Sequence, residues 1–152
     1  MSKEGMSIRY GDEIEVGYEL EDVRRSPTNV QLFRYCATTW NSHRIHYDKD
    51  YAASEGYPNV LVQSHLHGAF LTSYCTNWAG TGGRLLRLEY SVRRFATPGD
   101  VLICKGKVIQ SKPSADGFRS VQLELVEERE SDGAHCAIGG ATILLPLRGQ
   151  SA

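Results

Sequence analysis

Residues 57–83 contain no aspartate, glutamate, lysine or arginine, and this stretch most limits what the chain can fold into. Val62, Leu66, Ala69, Phe70 and Ser73 fall on one helical face, and Leu61, His65, Gly68, Leu71 and Cys75 on its neighbour. A helix apolar or small over so much of its circumference belongs inside the molecule. The spacing predicts a buried central helix from Val60 to Trp78-Ala79-Gly80, ended by a glycine-rich turn.

Something must enclose that helix, and the second half of the chain reads as strand after strand. Leu86, Leu88, Tyr90 and Val92 alternate, as do Leu102, Cys104, Gly106 and Val108, and then Val121, Leu123 and Leu125. Pro98-Gly99-Asp100 and Ser131-Asp132-Gly133 supply turns, and a last strand is expected over residues 134–145, with Gly139-Gly140 marking a bulge or a close backbone approach. Earlier, Ile14, Val16 and Tyr18 predict a half-buried strand within residues 8–19. Ser26-Pro27 reads as the cap and first turn of a short helix carrying Val30, Phe33, Arg34 and Ala37 and ending near Thr38. Asp48 caps another, stopped at Gly56-Tyr57-Pro58. One interior helix with about five antiparallel strands in meander order implies an α+β class, a sheet curled around a helix, with residues 1–152 as one domain. Such a sheet has an open edge, which joining two sheets in a dimer would remove.

Charge narrows the partners. Seventeen basic against eighteen acidic side chains leave a net charge of -1, so no global field draws in nucleic acid or an anionic membrane. No apolar run is long enough to cross a bilayer, and residues 1–5 carry no apolar signal region. Cys36, Cys75, Cys104 and Cys136 lie far apart without a CxxC pair, which suits a reducing cytoplasm.

The chemistry concentrates in Trp40-Asn41-Ser42-His43-Arg44-Ile45-His46-Tyr47-Asp48, within a stretch from Thr38 to Asp48 expected to be an ordered loop. Four histidines, His43, His46, His65 and His67, lie close together, but His65 and His67 point opposite ways on a helix and no carboxylate or cysteine stands at ligand spacing, so no metal and no cofactor is called for. His67 reads as a hydrogen-bonded core or interface histidine. His46 can serve as general acid or base near neutral pH, while Asn41, an amide, can hold a water or a carbonyl but cannot take its proton. The plainer alternative is that both only tie down the loop. Gln63-Ser64 opens the interior helix, whose first free amides can stabilise an oxygen that becomes negative during reaction; every helix has such amides.

These residues resemble the MaoC-like hydratases and dehydratases of the hotdog fold, over most of the chain from Tyr10 to Leu145. That family has a motif of the form Asp-x-Asn-Pro-x-His-x-Asp before a short helix, a glycine and a His-Gly pair opening the central helix. The matching run here is Asn41-Ser42-His43-Arg44-Ile45-His46-Tyr47-Asp48, then Ala52, Gly56-Tyr57-Pro58 and Gln63-Ser64. The wording His-Arg-Ile-His-Tyr-Asp followed by Glu-Gly-Tyr-Pro is most similar to the branch of mesaconyl-type CoA hydratases and hydroxyacyl-thioester dehydratases. The resemblance implies reversible addition of water across a 2-enoyl thioester, an acyl-CoA, by a dimer or higher oligomer. It implies His46 as the catalytic histidine, Asn41 in place of the catalytic aspartate, and Ser64 in place of the oxyanion-hole glycine. His43, Arg44 and Gln63 within the matched runs, with Arg93 and Arg94 where phosphate contacts fall, are then expected to touch substrate. Asparagine for aspartate also leaves open a weakly active or non-catalytic acyl-CoA-binding subunit of a hetero-oligomer. A hotdog thioesterase would need a carboxylate near the helix, and residues 57–83 offer none.

Overall fold

The computed structural model describes residues 7–115 and 117–149. Residues 1–5, expected to lack an apolar signal, lie outside the described residues. In chain order the elements are strand β1 (Val23–Arg25), helices α1 (Asn29–Thr39), α2 (Lys49–Ser54) and α3 (Ser64–Ala79), then strands β2 (Arg84–Val92), β3 (Leu102–Pro113), β4 (Phe118–Arg129) and β5 (His135–Pro146). The strands form one antiparallel sheet in the order β1-β3-β4-β5-β2, and α3 packs against β2, β3, β4 and β5. This is the expected α+β hotdog arrangement.

The charge-free stretch does build the centre. Leu66, Phe70, Leu71, Tyr74, Cys75 and Trp78 of α3 are buried against inward residues of the strands, among them Leu102, Cys104, Val108, Val121, Leu123, Leu125 and Ile143. Each large apolar side chain so buried contributes about 1.5–3 kcal/mol of transfer free energy. Two glycines bring the layers close. A Cβ at Gly68 would strike the Tyr90 ring, and one at Gly139 would strike the backbone of Glu89 and Tyr90, which accounts for Gly139 within β5. The helix starts later than its apolar run predicts: Val60, Leu61, Val62 and Gln63 are buried but lie ahead of the helix, and Ser64 is the first helical residue. It is also not enclosed all round, since Ser64, His65, Ala69, Thr72, Thr76 and Asn77 form an exposed stripe of small or polar uncharged groups.

Three expectations need correction. Residues 8–19 form no strand; they hold a 3-10 turn at Gly11–Glu13 and two isolated bridges. There Ile14 is buried while Val16 and Tyr18 are exposed, and Gly17 at φ 94° turns the chain, so the apparent alternation never lies on a pleat. The fifth strand is instead the three-residue β1, paired with β3 through Val23↔Cys104 and Arg25↔Leu102. Only β3, β4 and β5 form a meander; β2 crosses to the far edge beside β5. Finally, Thr28 and not Ser26 caps α1, its side chain accepting from the Gln31 N–H at 3.1 Å, so the helix begins at Asn29, past Pro27.

Candidate active site

The site begins where α1 ends. Trp40 closes that helix in the left-handed region (φ 56°, ψ 33°), the one described non-glycine residue at positive φ. The Asn41 N–H returns to the Cys36 carbonyl at 3.0 Å, and the Asn41 Oδ1 accepts from the His43 N–H at 3.1 Å. Tyr47 donates its hydroxyl to the Ser42 carbonyl at 2.9 Å. The Asp48 carboxylate caps α2 through the Tyr51 N–H at 3.0 Å and takes the Arg44 guanidinium at 2.6 Å, which also lies 4.7 Å over the Tyr51 ring. Residues 40–48 are therefore an ordered loop, starting two residues later than expected because α1 runs through Thr39, and it holds a 3-10 turn at Arg44–His46.

Two bonds join this loop to the segment that leads into α3. The Leu61 N–H donates to the Ile45 carbonyl at 2.9 Å, and His46 Nδ1 bonds the Leu61 carbonyl at 2.9 Å. A carbonyl oxygen can only accept, so Nδ1 carries the proton and Nε2 of the neutral ring keeps a free lone pair. The half-buried position pushes the His46 pKa down, the Leu61 bond pushes it up, and His43, whose ring centroid is 5.8 Å away, pushes it down again. The net effect is a lowered pKa and a ring that is neutral, hence basic, at physiological pH.

From Leu61 the chain needs three residues to reach Ser64, the first residue of α3. The Val62 N–H fixes that approach by donating to the Ala96 carbonyl at 2.8 Å. No side chain caps the helix; the Leu66 and His67 N–H groups donate to the Gln63 carbonyl at 2.9 and 3.1 Å, so the amides of the exposed Ser64 and His65 are the ones at the helix start left for a ligand. The structure thus brings Asn41, His43, Arg44 and His46 onto one loop and bonds that loop to the segment leading into the helix start at Ser64. Gln63, expected among the substrate contacts, is instead fully buried: its Nε2 donates to the Leu32 carbonyl at 2.8 Å and lies 3.0 Å from Cys36 Sγ. It fastens the helix start to α1. The guanidinium of Arg44 is likewise engaged by Asp48. Arg93 and Arg94 are exposed, their backbone N–H groups bonded to the Cys136 carbonyl, and they lie just before Ala96. Neither has an ion-pair partner among the described residues.

One carboxylate escaped the sequence reading. Glu127 of β4 is fully buried and its Oε1 accepts from Nδ1 of the equally buried His67. The signal was present, since the alternation through Val121, Leu123 and Leu125 places residue 127 on the inward face. A carboxylate does therefore approach α3, but it is enclosed and already paired. His67 is the bonded core histidine that its position suggested. Beside Asn41, an open cleft of about 320 Å³ is lined by Phe33, Cys36, Ala37, Trp40, Asn41, Ser42 and Tyr47.

Comparison with known proteins bears on this geometry. The family model for hydroxyacyl-thioester dehydratase type 2 matches residues 16–98, the part of the chain that carries α1, the loop, α3 and β2. Mesaconyl-C(4)-CoA hydratase of Chloroflexus aurantiacus is 51% identical over 41 residues, 26% of this chain and 15% of that protein. The mitochondrial hydroxyacyl-thioester dehydratase type 2 of Schizosaccharomyces pombe is 43% identical over 42 residues, 27% of this chain and 14% of that one. The matched stretches are thus a small part of either relative's length. Among solved structures, the unliganded R-hydratase PhaJ1 of Pseudomonas aeruginosa superposes with a TM-score of 0.80 at 22% identity, covering 91% of this chain and 86% of its own. At that identity the likeness concerns the fold.

Proposed function

The chain belongs to the hydroxyacyl-thioester dehydratase type 2 family, and from that premise we propose that it catalyses the reversible hydration of a 2-enoyl thioester, an acyl-CoA, with His46 as the proton-transfer residue. The observation that carries this reading is the bond from His46 Nδ1 to the Leu61 carbonyl, which leaves Nε2 basic and ties the ring to the segment that enters α3. In the hydration direction, Nε2 takes a proton from water as the water oxygen bonds to C3 of the enoyl group. The π electrons of the double bond move toward the thioester carbonyl, whose oxygen becomes negative. The first amides of α3, that of Ser64 foremost, stabilise this oxygen, and protonated His46 then delivers the proton to C2. Dehydration is the same path reversed.

Asn41 supports this chemistry as a positioning group. Its Oδ1 is occupied by the His43 N–H, so Nδ2 is the atom left to hold the water oxygen while His46 receives the proton. Arg93 and Arg94, exposed near the helix start, are suited to the phosphates of CoA. The reading extends to residues 1–152 working as one hotdog unit, in a homodimer or higher oligomer, in the cytoplasm. Four buried, unpaired cysteines support a reducing compartment. Among the described residues no helix is long and apolar enough to cross a membrane.

The test is a panel of 2-enoyl-CoAs followed by loss of the conjugated absorbance. His46→Ala is expected to lower kcat/KM by roughly 10²–10⁴-fold, the usual size of a general acid–base contribution. No turnover of any substrate by the wild type, or equal turnover by both proteins, overturns the reading. A second reading rests on the Asn41 Oδ1 bond, a structural task that needs no chemistry: a non-catalytic acyl-CoA-binding subunit of a hetero-oligomer. It predicts thioester binding without hydration until a related chain with aspartate at that place is added.

A further inference from the structure

Arg25, the last residue of β1, carries a cation that no described carboxylate answers. Its exposed neighbour Arg24 meets Glu130 at 2.8 Å. The Arg25 Nε, by contrast, is enclosed and has no partner, and its Nη2 donates to the Ser73 Oγ of α3 at 3.1 Å. A guanidinium keeps its charge in a protein, and an enclosed charge is costly unless it is paired. Cys104, which it also reaches, gives no counter-charge: burial pushes that thiol up to about 12, so it stays protonated. Glu127, which also acts on Cys104, is bonded to His67. Arg119 has an enclosed, unpartnered Nε as well, but the Ser111 hydroxyl beside it passes its own proton to the Ile14 carbonyl. At Arg25 the hydroxyl is not spent in this way. The Ser73 Oγ accepts from Arg25 and, at 3.5 Å, from Asn77 Nδ2, and its own proton has no acceptor among the described residues. A guanidinium, a hydroxyl and an amide NH2 thus meet at one point with donors to spare, on a flank of α3 where Asn77 is exposed.

We propose that Arg25, Ser73 and Asn77 form a binding site for a small oxyanion, a phosphate or carboxylate group, separate from the hydration site. Along the axis of α3, Ser73 stands about 14 Å from Ser64, the end where hydration is placed. An oxyanion offers lone pairs to several donors at once and supplies the missing charge, whereas a neutral carbonyl offers lone pairs alone. Bound there, it ties the three-residue β1 to α3, and β1 leads through Ser26-Pro27 into α1. Occupancy therefore stiffens the entry to the helix whose other end carries the reaction loop.

Inorganic phosphate and malonate serve as probes, titrated calorimetrically into the whole chain at an ionic strength fixed with sodium chloride. At least one of them should bind saturably, and at tenfold its Kd it should raise Tm by roughly 3–6 °C. The tighter of the two names the class of oxyanion. Arg25→Gln should abolish the binding. Ser73→Ala, which keeps the cation and alters a half-buried side chain by one oxygen, should weaken it by roughly 3–10-fold, the loss of one hydrogen bond. Arg24→Gln should leave Kd unaltered, and so should Arg93→Gln combined with Arg94→Gln, the pair suited to the phosphates of CoA. Melts without either probe identify any variant that fails to fold. No saturable binding of either probe, binding that survives Arg25→Gln, or binding lost with Arg93 and Arg94 overturns the proposal. So does a halved light-scattering mass of Arg25→Gln when the wild type binds neither probe, which would assign the guanidinium to a carboxylate of a second copy. None of these readouts uses turnover, so the hydration reading and this site can each fail without the other.

Discussion

A histidine whose Nδ1–H is donated to a carbonyl has one basic atom left, and its environment decides the pH at which that atom works. For His46 burial is the larger cause of the lowered pKa and His43 a smaller one. The rate of hydration should therefore stay flat as pH falls through the ordinary histidine range, about 6.5, and drop only below it. His43→Ala removes one lowering influence, so the acid limb of the kcat/KM profile should move to higher pH. An unmoved limb would mean that the limb belongs to another group. Stability follows the same linkage. The unfolded chain binds the proton first as pH falls, so the contribution of His46 is whole above the unfolded value and is lost as pH drops toward the lower folded one. The ordered loop that carries Asn41 and His46 was legible in the sequence because neither a helical nor a strand period runs through it. The directions of side chains were not. The sequence gives no sign that Gln63 turns inward to α1 or that the Asn41 Oδ1 is taken by a backbone amide, since neither leaves a periodic trace.

At the scale of elements, α3 is bonded to the sheet through a pair without solvent contact. Glu127 stands beside a register shift at Glu127/Glu128, where a bulge re-aims side chains, and its bond to His67 links β4 to the end of the first turn of the helix. Glu127 Oε2 and His67 Nε2 have no partner among the described residues, so this pair has little further compensation. Removing one member leaves the other buried and uncompensated. His67→Ala and Glu127→Ala are each expected to destabilise by about 3–5 kcal/mol in urea titrations, and the double change His67→Phe with Glu127→Leu by less than the sum. Additive losses would show that the two do not act as a pair. The elements themselves were legible to different degrees. Residues 57–83 and the four long strands declare themselves because burial imposes a period on many consecutive residues. Residues 8–19 mislead, for three alternating apolar residues also fit a chain that turns at Gly17. In α1 the sequence presents Val30, Phe33 and Ala37 as the packing face, yet Leu32 and Cys36 are the buried ones; periodicity reports that a face is apolar, not what covers it.

For the whole molecule the sheet order leaves two edges of unequal consequence. β1 is three residues long, too short to attract another strand, but β2 runs from Arg84 to Val92 with β5 on one side only. A long edge with unpaired N–H and C=O groups is a template for a further strand, and an antiparallel match of β2 with its own copy is a closed two-fold solution. Leu86, at 58% exposure, and the outward Arg87 and Glu89 lie along this edge. A charge pair on neighbouring positions of the same edge suits a two-fold partner, because each copy can set its arginine against the other's glutamate. The protein is therefore expected to scatter light as a particle of twice the chain mass. In hydrogen exchange, the β2 amides not bonded to β5 should be as slow as those that are, and dilution to monomer should release that half alone. If they exchange quickly at every concentration, β2 is a free edge, and any assembly uses another surface.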